Sequence, residues 1–371
     1  MECRSGFRRD YLDYRNTLTA RFLMIASIFI FHAGLFFGFP VPNNGHTCVA
    51  VFFFLSGYGL EYSLTNKPGY MRTFLQKRAL GLLIQYWLIM MFCAALTGVA
   101  YLSFQSFMQD ADKYLFEYVN WYILELLVFY VIFFISAMFR EVRWRYLFVL
   151  VTTIASMYIL AENFDTNLYL KSGLVFIVGM AWYRYKDRID AFLTRYYALI
   201  IIPLTVLLLI PERNDVFAID MIYTGITALL LVVVGCMVLM ADLRKRWYIP
   251  LLALIVGGAV MFNGLGTAQN IEGASMLFLA GLSCVIYQIP SLCKAMVPLG
   301  SMSLELFLLH YITFKWTSYY IDDLLVIMIL STIITLIISY TAYVGVGRIM
   351  KAYNKGVDRL CTEQRPPETA S

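Results

Sequence analysis

An arginine and a histidine in the first apolar stretch of the sequence have a spacing that suits chemistry on one ligand. Arg21 and His32 lie eleven residues apart, in RFLMIASIFIFH. Eleven steps of about 100° bring both side chains to one face of a helix, roughly 16 Å apart along its axis. This face would carry a fixed positive charge and, within the membrane, a neutral imidazole suited to a general base. The competing interpretations are a topology anchor for Arg21 and an interhelical hydrogen bond for His32.

Four other polar side chains are weaker candidates. Glu125 lies in NWYILELLVFYV and His310 in a late apolar stretch, and an ionisable group inside a membrane usually faces the protein interior. Lys77 and Arg78 stand at the start of another apolar stretch. A basic cluster of this kind most often reflects membrane topology, so its ordinary interpretation is orientation and not chemistry.

The segment FFFLSGYG, residues 52–59, interrupts an apolar run with small residues. Ser56, Gly57 and Gly59 remove side-chain bulk at mid-membrane depth. Small residues permit either close helix packing or the passage of a ligand beside bare backbone. Packing is the interpretation that the motif alone favours.

Composition indicates that these residues belong to an integral membrane protein. Of 371 residues, 61% are hydrophobic and only 14% are charged. The apolar runs are continuous and do not alternate, so helices must satisfy the backbone in lipid. The sequence predicts an all-α, polytopic transmembrane helical bundle of about 10–12 spans. The candidate spans are residues 20–39, 47–64, 79–103, 119–139, 146–161, 169–184, 196–210, 216–240, 247–262, 273–289, 299–318 and 323–348.

The basic residues predict the orientation of the bundle. With a cytoplasmic N-terminus, only four of the 29 Lys and Arg residues fall outside, namely Lys113, Lys171, Arg213 and Lys315. Both termini are therefore predicted to be cytoplasmic in a multi-pass protein of the plasma membrane. The net charge of +5 is then a topology signal and not a nucleic-acid footprint. The seven cysteines are scattered, which suggests neither a metal site nor a disulfide framework.

The same pattern divides the chain into three parts. Residues 1–19 form a charged cytoplasmic segment, and residues 20–350 form the transmembrane domain. Residues 351–371, which end in RPPETAS, are expected to form a disordered cytoplasmic tail.

Several of these motifs together resemble the membrane acyltransferase-3 family. The spacing of Arg21 and His32 is similar to the family's R-x10-H signature, and FFFLSGYG resembles its second-helix motif. The segments FLQKRALGLLIQYW, NWYILELLVFY and LGSMSLELFLLH resemble three later motifs, in the family's order, over most of residues 10–345. The third-helix segment departs from the family pattern, because Gly81 replaces a second arginine and Ile84 replaces a proline.

The resemblance implies an activity. Family members move acyl groups, commonly acetyl, from cytoplasmic acyl-CoA to hydroxyls of envelope carbohydrates or related acceptors. This chain resembles the stand-alone type, without an extracytoplasmic hydrolase-like domain. It is expected to use acetyl-CoA as donor, a carbohydrate or lipid-linked glycan as acceptor and no metal, and to contact membrane lipid but no nucleic acid. The alternatives are a transporter or flippase for a glycan precursor, and a sensor that binds acyl-CoA without turnover.

The resemblance also suggests residue roles. His32 would act as general base, with an acyl-histidine intermediate as the competing route. Five residues would bind the donor: Arg21, Arg78 and Lys77 at its phosphates, and Ser56 and Gly57 along its pantetheine arm. The residues assigned to the acceptor side or to support of the site are His310 and Glu125.

Overall fold

The described part of the chain is helical. The structure, a computed structural model, describes residues 6–42, 44–101, 121–164, 169–209, 217–264 and 271–363. Within these ranges it contains helices and one isolated β-bridge, between Phe7 and Ala241. The predicted all-α class is confirmed. Lys113 and Arg213, which the orientation analysis placed outside, fall beyond the described residues.

Each of the twelve predicted spans overlaps one or two helices of the structure. A short 3₁₀ helix (Tyr70–Thr73) and a π-helix (Leu75–Leu80) precede α3. The α-helices are α1 Tyr14–Phe37, α2 Gly45–Asn66, α3 Gly81–Tyr101, α4 Trp121–Ser136, α5 Val142–Phe164, α6 Tyr169–Ser172, α7 Leu174–Arg184, α8 Lys186–Arg195, α9 Tyr197–Leu209, α10 Phe217–Leu239, α11 Leu243–Arg246, α12 Tyr248–Gly264, α13 Ile271–Gln288, α14 Pro290–Ser301, α15 Ser303–Tyr320 and α16 Leu324–Glu363.

The number of helices that can cross a membrane is lower than the number of apolar runs. Five are long and apolar enough: Tyr14–Phe37, Gly45–Asn66, Leu75–Leu96, Val142–Phe164 and Leu324–Leu360. Two bent pairs raise the count among the described residues to seven, α8 with α9 at 89° and α13 with α14 at 115°. Helix α4 and parts of α10 and α12 are apolar but shorter. A short helix spans the hydrocarbon layer only where the bilayer thins or where the helix continues into a neighbouring one. The predicted count of 10–12 spans included these short helices.

Both ends of the described chain are ordered by contacts. Tyr11, ahead of α1, is fully buried; its hydroxyl donates to Asp190 Oδ1 (2.7 Å) and accepts from Trp182 Nε1 (2.7 Å). At the other end α16 continues to Glu363, so residues 351–363, assigned to a disordered tail, are helical. Tyr353 on this extension donates its hydroxyl hydrogen bond to the carbonyl of Gln76 (2.9 Å). Residues 364–371 are not described.

The chain divides into two compact units. Unit 1 comprises Met1–Tyr62 and Ala161–Phe307, and unit 2 comprises Ser63–Leu160 and Leu308–Ser371. In unit 1, α13 is central and contacts α1, α9, α10, α12 and α14. In unit 2, α16 packs on α3, and paired hydroxyls join α15 to α16: Thr313 with Thr335 and Thr317 with Ser331, each at 2.6 Å.

Glycines bring the helices of unit 1 into backbone contact. A Cβ atom at Gly57 of α2 would lie 2.0 Å from the carbonyl oxygen of Phe176 in α7. Reciprocally, a Cβ atom at Gly179 of α7 would lie 2.1 Å from the carbonyl oxygen of Phe54. Without a strong hydrophobic force between helices in lipid, such close approach is a principal source of helix association.

This contact predicts a difference between two neighbouring glycines. Gly57→Ala is expected to destabilise the protein by about 1–3 kcal/mol, because α2 and α7 must separate to admit the methyl group. Gly59→Ala is the matched control, because nothing lies within 4 Å of a Cβ atom there. Thermal unfolding of the two variants in detergent measures the difference. Equal melting temperatures would contradict the packing role.

Candidate functional site

Helix α1 carries Arg21 and His32 and is held at both ends. At its start, Asp13 accepts a hydrogen bond from the backbone N–H of Asn16 (2.8 Å) and another from the Tyr287 hydroxyl (2.6 Å). At its end, Gly38 takes a left-handed conformation (φ 75°), which closes the helix without strain. The helix is therefore a fixed frame for both candidate residues.

The face of α1 that carries Arg21 and His32 is turned into the protein. Ile25 and Ile28 lie between them, within about 40° of the same direction, and are only 3% and 1% exposed. Ile30, on the opposite face, is 48% exposed. Leu35, three residues after His32, is exposed again. The predicted face is thus interior from Arg21 to about His32 and opens beyond it.

The two side chains differ in their surroundings. Arg21 is half-buried, and its Nε is buried without a hydrogen-bond partner among the described residues. The half-buried ring of His32 lies beside that of Phe31, with centroids 5.3 Å apart. Phe31 in turn covers Gly45, where a Cβ atom would meet the ring at 2.8 Å. Arg21 therefore retains an unused donor, and α1 and α2 pack directly beside His32.

The small residues of α2 have separate roles. Gly57 is buried and occupied by the backbone contact with α7, so packing alone accounts for it. Ser56 is half-buried, and the space beside Gly59 is open. The contact with α7 needs no ligand, so donor binding at Gly57 is not part of the proposal below.

Lys77 and Arg78 belong to unit 2 and lie in the π-helix. π-Helical turns are rare and frequently occur at functional sites. Lys77 forms an ion pair with Asp358 of α16, and Arg78 Nε donates to the Tyr70 hydroxyl at 3.1 Å. Phe74, fully buried against aromatic rings of α4, anchors the segment. Any anion at Lys77 must compete with Asp358.

Glu125 and His310 are deeply buried in unit 2. Glu125 is 0% exposed, and neither carboxylate oxygen has a hydrogen-bond partner among the described residues. His310 is 3% exposed and lies edge-on to Phe314, with centroids 5.8 Å apart. A buried carboxylate without a partner costs free energy of folding. Glu125 is therefore a stronger indication of a specific role than His310.

Sequence reasoning missed a charged cleft of about 980 Å³ at the N-terminal end of α1. Three exposed cations line it, Arg15, Arg244 and Lys294, and none has an ion-pair partner in the part of the chain that the structure describes. A fourth, Arg8, pairs with Asp10 (2.6 Å). Burial raises the pKa of Asp10, but the hydrogen bond and charge of Arg8 outweigh it and keep that pKa below its ordinary value. These residues come from segments far apart in the sequence, so no local spacing predicts the cleft.

Sequence reasoning also missed a polar cluster beside the middle of α1, at Ser27. His46 Nε2 and Glu272 Oε1 lie 2.8 Å apart. Asn44 donates from Nδ2 to Ser27 Oγ (2.7 Å) and to Ser275 Oγ (3.0 Å). The cluster joins α1, α2 and α13 close to His32. The segment FPVPNNGHT, residues 39–47, contained the only signal, a histidine and an asparagine at the start of a helix.

These features define a polytopic helical membrane protein with an arginine and a histidine on one interior helix face. A family model described as an acyltransferase domain matches residues 11–344. The chain therefore belongs to the acyltransferase-3 family and is a membrane acyltransferase. No curated protein and no solved structure matches it.

The isolated carboxyl group of Glu125 generates a prediction. Glu125→Leu is expected to preserve or raise the stability of the folded protein, because replacing a buried unpaired carboxyl with an apolar side chain removes a desolvation cost. Thermal unfolding in detergent measures this effect. A loss of more than about 2 kcal/mol would show that Glu125 is satisfied by a group outside the described residues.

Proposed function

We propose that the chain is an O-acyltransferase of the plasma membrane that uses acyl-CoA, with acetyl as the transferred group. The acceptor is a hydroxyl of an envelope carbohydrate or a lipid-linked glycan. The observation that carries the proposal is the interior face of α1 with Arg21 and His32, in a chain of the acyltransferase-3 family.

His32 acts as the general base in this proposal. Its ring accepts the proton of the acceptor hydroxyl while the hydroxyl oxygen attacks the thioester carbonyl. The C–S bond then breaks, the acyl group stays on the acceptor oxygen, and the imidazolium returns its proton to the departing CoA thiolate. The half-buried position of His32, next to the exposed end of its helix face, supports access for an acceptor from that side.

The donor binds at the opposite end of α1. Coenzyme A carries several phosphate charges on a nucleotide and a thin pantetheine arm. The charged cleft at the start of α1 has a volume at the upper end of the roughly 300–1,000 Å³ typical of small-molecule sites. Asp10, Asp13 and Asp242 also line the cleft, and Asp10 pairs with Arg8. The cations that remain for the phosphates are Arg15, Arg244 and Lys294, which suit them through charge-assisted hydrogen bonds. Arg21, two turns further along α1, has a free Nε donor for the part of the donor nearest the membrane.

The remaining predicted residues have weaker support. Donor binding by Arg78 rests on its match to the family motif and on its π-helical position, whereas Lys77 is engaged with Asp358. Ser56, His310 and Glu125 stay assigned to the arm or the acceptor side by resemblance. Each is testable by its own substitution.

The first test removes the base. His32→Ala is expected to lower acyl transfer by roughly 10²- to 10⁴-fold, the usual contribution of a well-placed base, while the protein still inserts and binds donor. The measurement is consumption of radiolabelled acetyl-CoA by membranes that contain a polyol or glycan acceptor. Ile30→Ala is the control, because Ile30 lies on the opposite, exposed face of α1.

Three outcomes are distinguishable when donor binding and acceptor movement are measured on the same membranes. Retained activity in His32→Ala would remove His32 from the chemistry. Donor binding without consumption in the wild type would favour the sensor. Acceptor movement across the membrane without consumption would favour the transporter.

The second test concerns the charged cleft. Arg244→Gln and Lys294→Gln are each expected to weaken acetyl-CoA binding on the order of tenfold, with less effect on the turnover of bound donor, since one charge-assisted contact is lost. Arg188→Gln is the control, because Arg188 is an exposed arginine of the same unit that does not line the cleft. Equilibrium binding of labelled donor provides the measurement. Arg78→Gln in the same assay tests the family-derived contact, and unchanged affinity in all variants would refute phosphate binding at these positions.

A further inference from the structure

An open apolar groove separates α9 from α12 in unit 1. It encloses about 520 Å³, and its walls include Ile202 and Val206 of α9 and Leu252 and Val256 of α12. Helix α10 and helix α13 contact both walls and close the floor. Ile202, Val206 and Leu252 are more than half exposed, so the groove opens sideways from the bundle, toward lipid.

The length of the groove matches one leaflet of a bilayer. It runs along α9 from Tyr197 to Leu209, twelve residue steps, or about 18 Å at the rise of an α-helix. Half of the hydrocarbon core of a bilayer is roughly 15 Å. An extended acyl chain of a single lipid therefore fits the groove along its axis.

One end of the groove carries a fixed cation. Arg246 lines the groove, and its guanidinium carbon lies 4.1 Å above the centre of the Phe7 ring. Phe7 is buried and packs against Tyr197, with centroids 4.7 Å apart. This stacking holds Arg246 at the mouth of the groove. No carboxylate pairs with the Arg246 side chain among the described residues, so its charge remains available to an anion.

The surroundings of Arg246 match the headgroup level of a membrane. Arg244 and Lys245 precede it and are exposed, and Trp247 and Tyr248 follow it with exposed rings. Helix α8 turns by 89° into α9 at the same end, which suits a helix that lies along the interface. The density of basic residues assigns this end to the cytoplasmic leaflet, which is rich in anionic lipid.

We propose that this groove is a binding site for an anionic phospholipid of the cytoplasmic leaflet. One acyl chain lies between α9 and α12, and the lipid phosphate binds Arg246. The groove lining contains neither Arg21 nor His32 nor any residue that lines the charged cleft, so lipid binding does not depend on the proposed acyltransferase reaction. A zwitterionic lipid also carries a phosphate but has no net charge, so the positive field of Lys245 and Arg246 favours an anionic lipid over it.

The experiment uses the full-length protein, purified in detergent, with added phosphatidylglycerol or phosphatidylcholine of identical acyl chains. Phosphatidylglycerol is expected to raise the melting temperature at lower concentration than phosphatidylcholine. Arg246→Gln is expected to weaken the phosphatidylglycerol response about fivefold, the effect of one basic residue at a membrane surface, and to weaken the phosphatidylcholine response less. Arg188→Gln, which removes an exposed charge elsewhere in the unit, is the control and keeps the preference.

A second variant separates the groove from surface charge. Leu252→Trp fills the groove from its exposed side and is expected to abolish the response to both lipids without lowering the melting temperature in their absence. A photoactivatable phosphatidylglycerol should label peptides of α9 and α12 in the wild type and not in Leu252→Trp. Equal responses to both lipids, labelling elsewhere, or displacement by a polyprenyl phosphate at lower concentration than phosphatidylglycerol would overturn the proposal.

Discussion

The backbone contact between α2 and α7 is the constraint on which the arrangement of unit 1 depends. Lipid supplies no water to satisfy polar groups and little hydrophobic force between helices, so the helices associate through close packing and a few hydrogen bonds. Gly57 and Gly179 place each helix's backbone against the other's with no side chain between. The same device recurs where Gly300 of α14 meets the backbone of Leu18 in α1, at 2.0 Å from a Cβ position.

These contacts determine what α1 can do. Gly300 and the Asp13 cap fix its first turns, and the cluster around Asn44 fixes the region near His32. In the proposed mechanism His32 must be held in position before substrate arrives, because freedom lost at the transition state would raise the barrier. The Asp13 cap, the contact with Gly300 and the hydrogen bond from Asn44 to Ser27 provide that restraint along α1.

The sequence predicts the helices well and the cleft poorly, and the reason is the range of each interaction. Apolar runs are local, so all twelve predicted spans match helical segments, and the common face of Arg21 and His32 follows from helical periodicity alone. The number of membrane crossings is harder to predict from the sequence. Two helix pairs, α8 with α9 and α13 with α14, bend through angles that no local pattern specifies. The charged cleft depends on Arg15, Arg244 and Lys294, which only tertiary packing brings together. The helical extension of α16 past residue 351 likewise depends on contacts such as that of Tyr353 with Gln76.

The polar groups without a partner among the described residues are of two kinds, exposed and buried. The two kinds bear differently on function. The exposed kind comprises Arg15, Arg244 and Lys294. Water solvates these charges, so leaving them unpaired costs little free energy, and they are suited to binding a ligand that arrives from solution. The Nε of Arg21 is buried and unsatisfied within the described residues, which costs free energy in the absence of a partner. In the proposed function, this donor is available to the ligand. Solvated cations at the start of α1 and a desolvated donor at Arg21 therefore suit the order of the proposed donor contacts, with exposed charges first and a buried hydrogen-bond donor next.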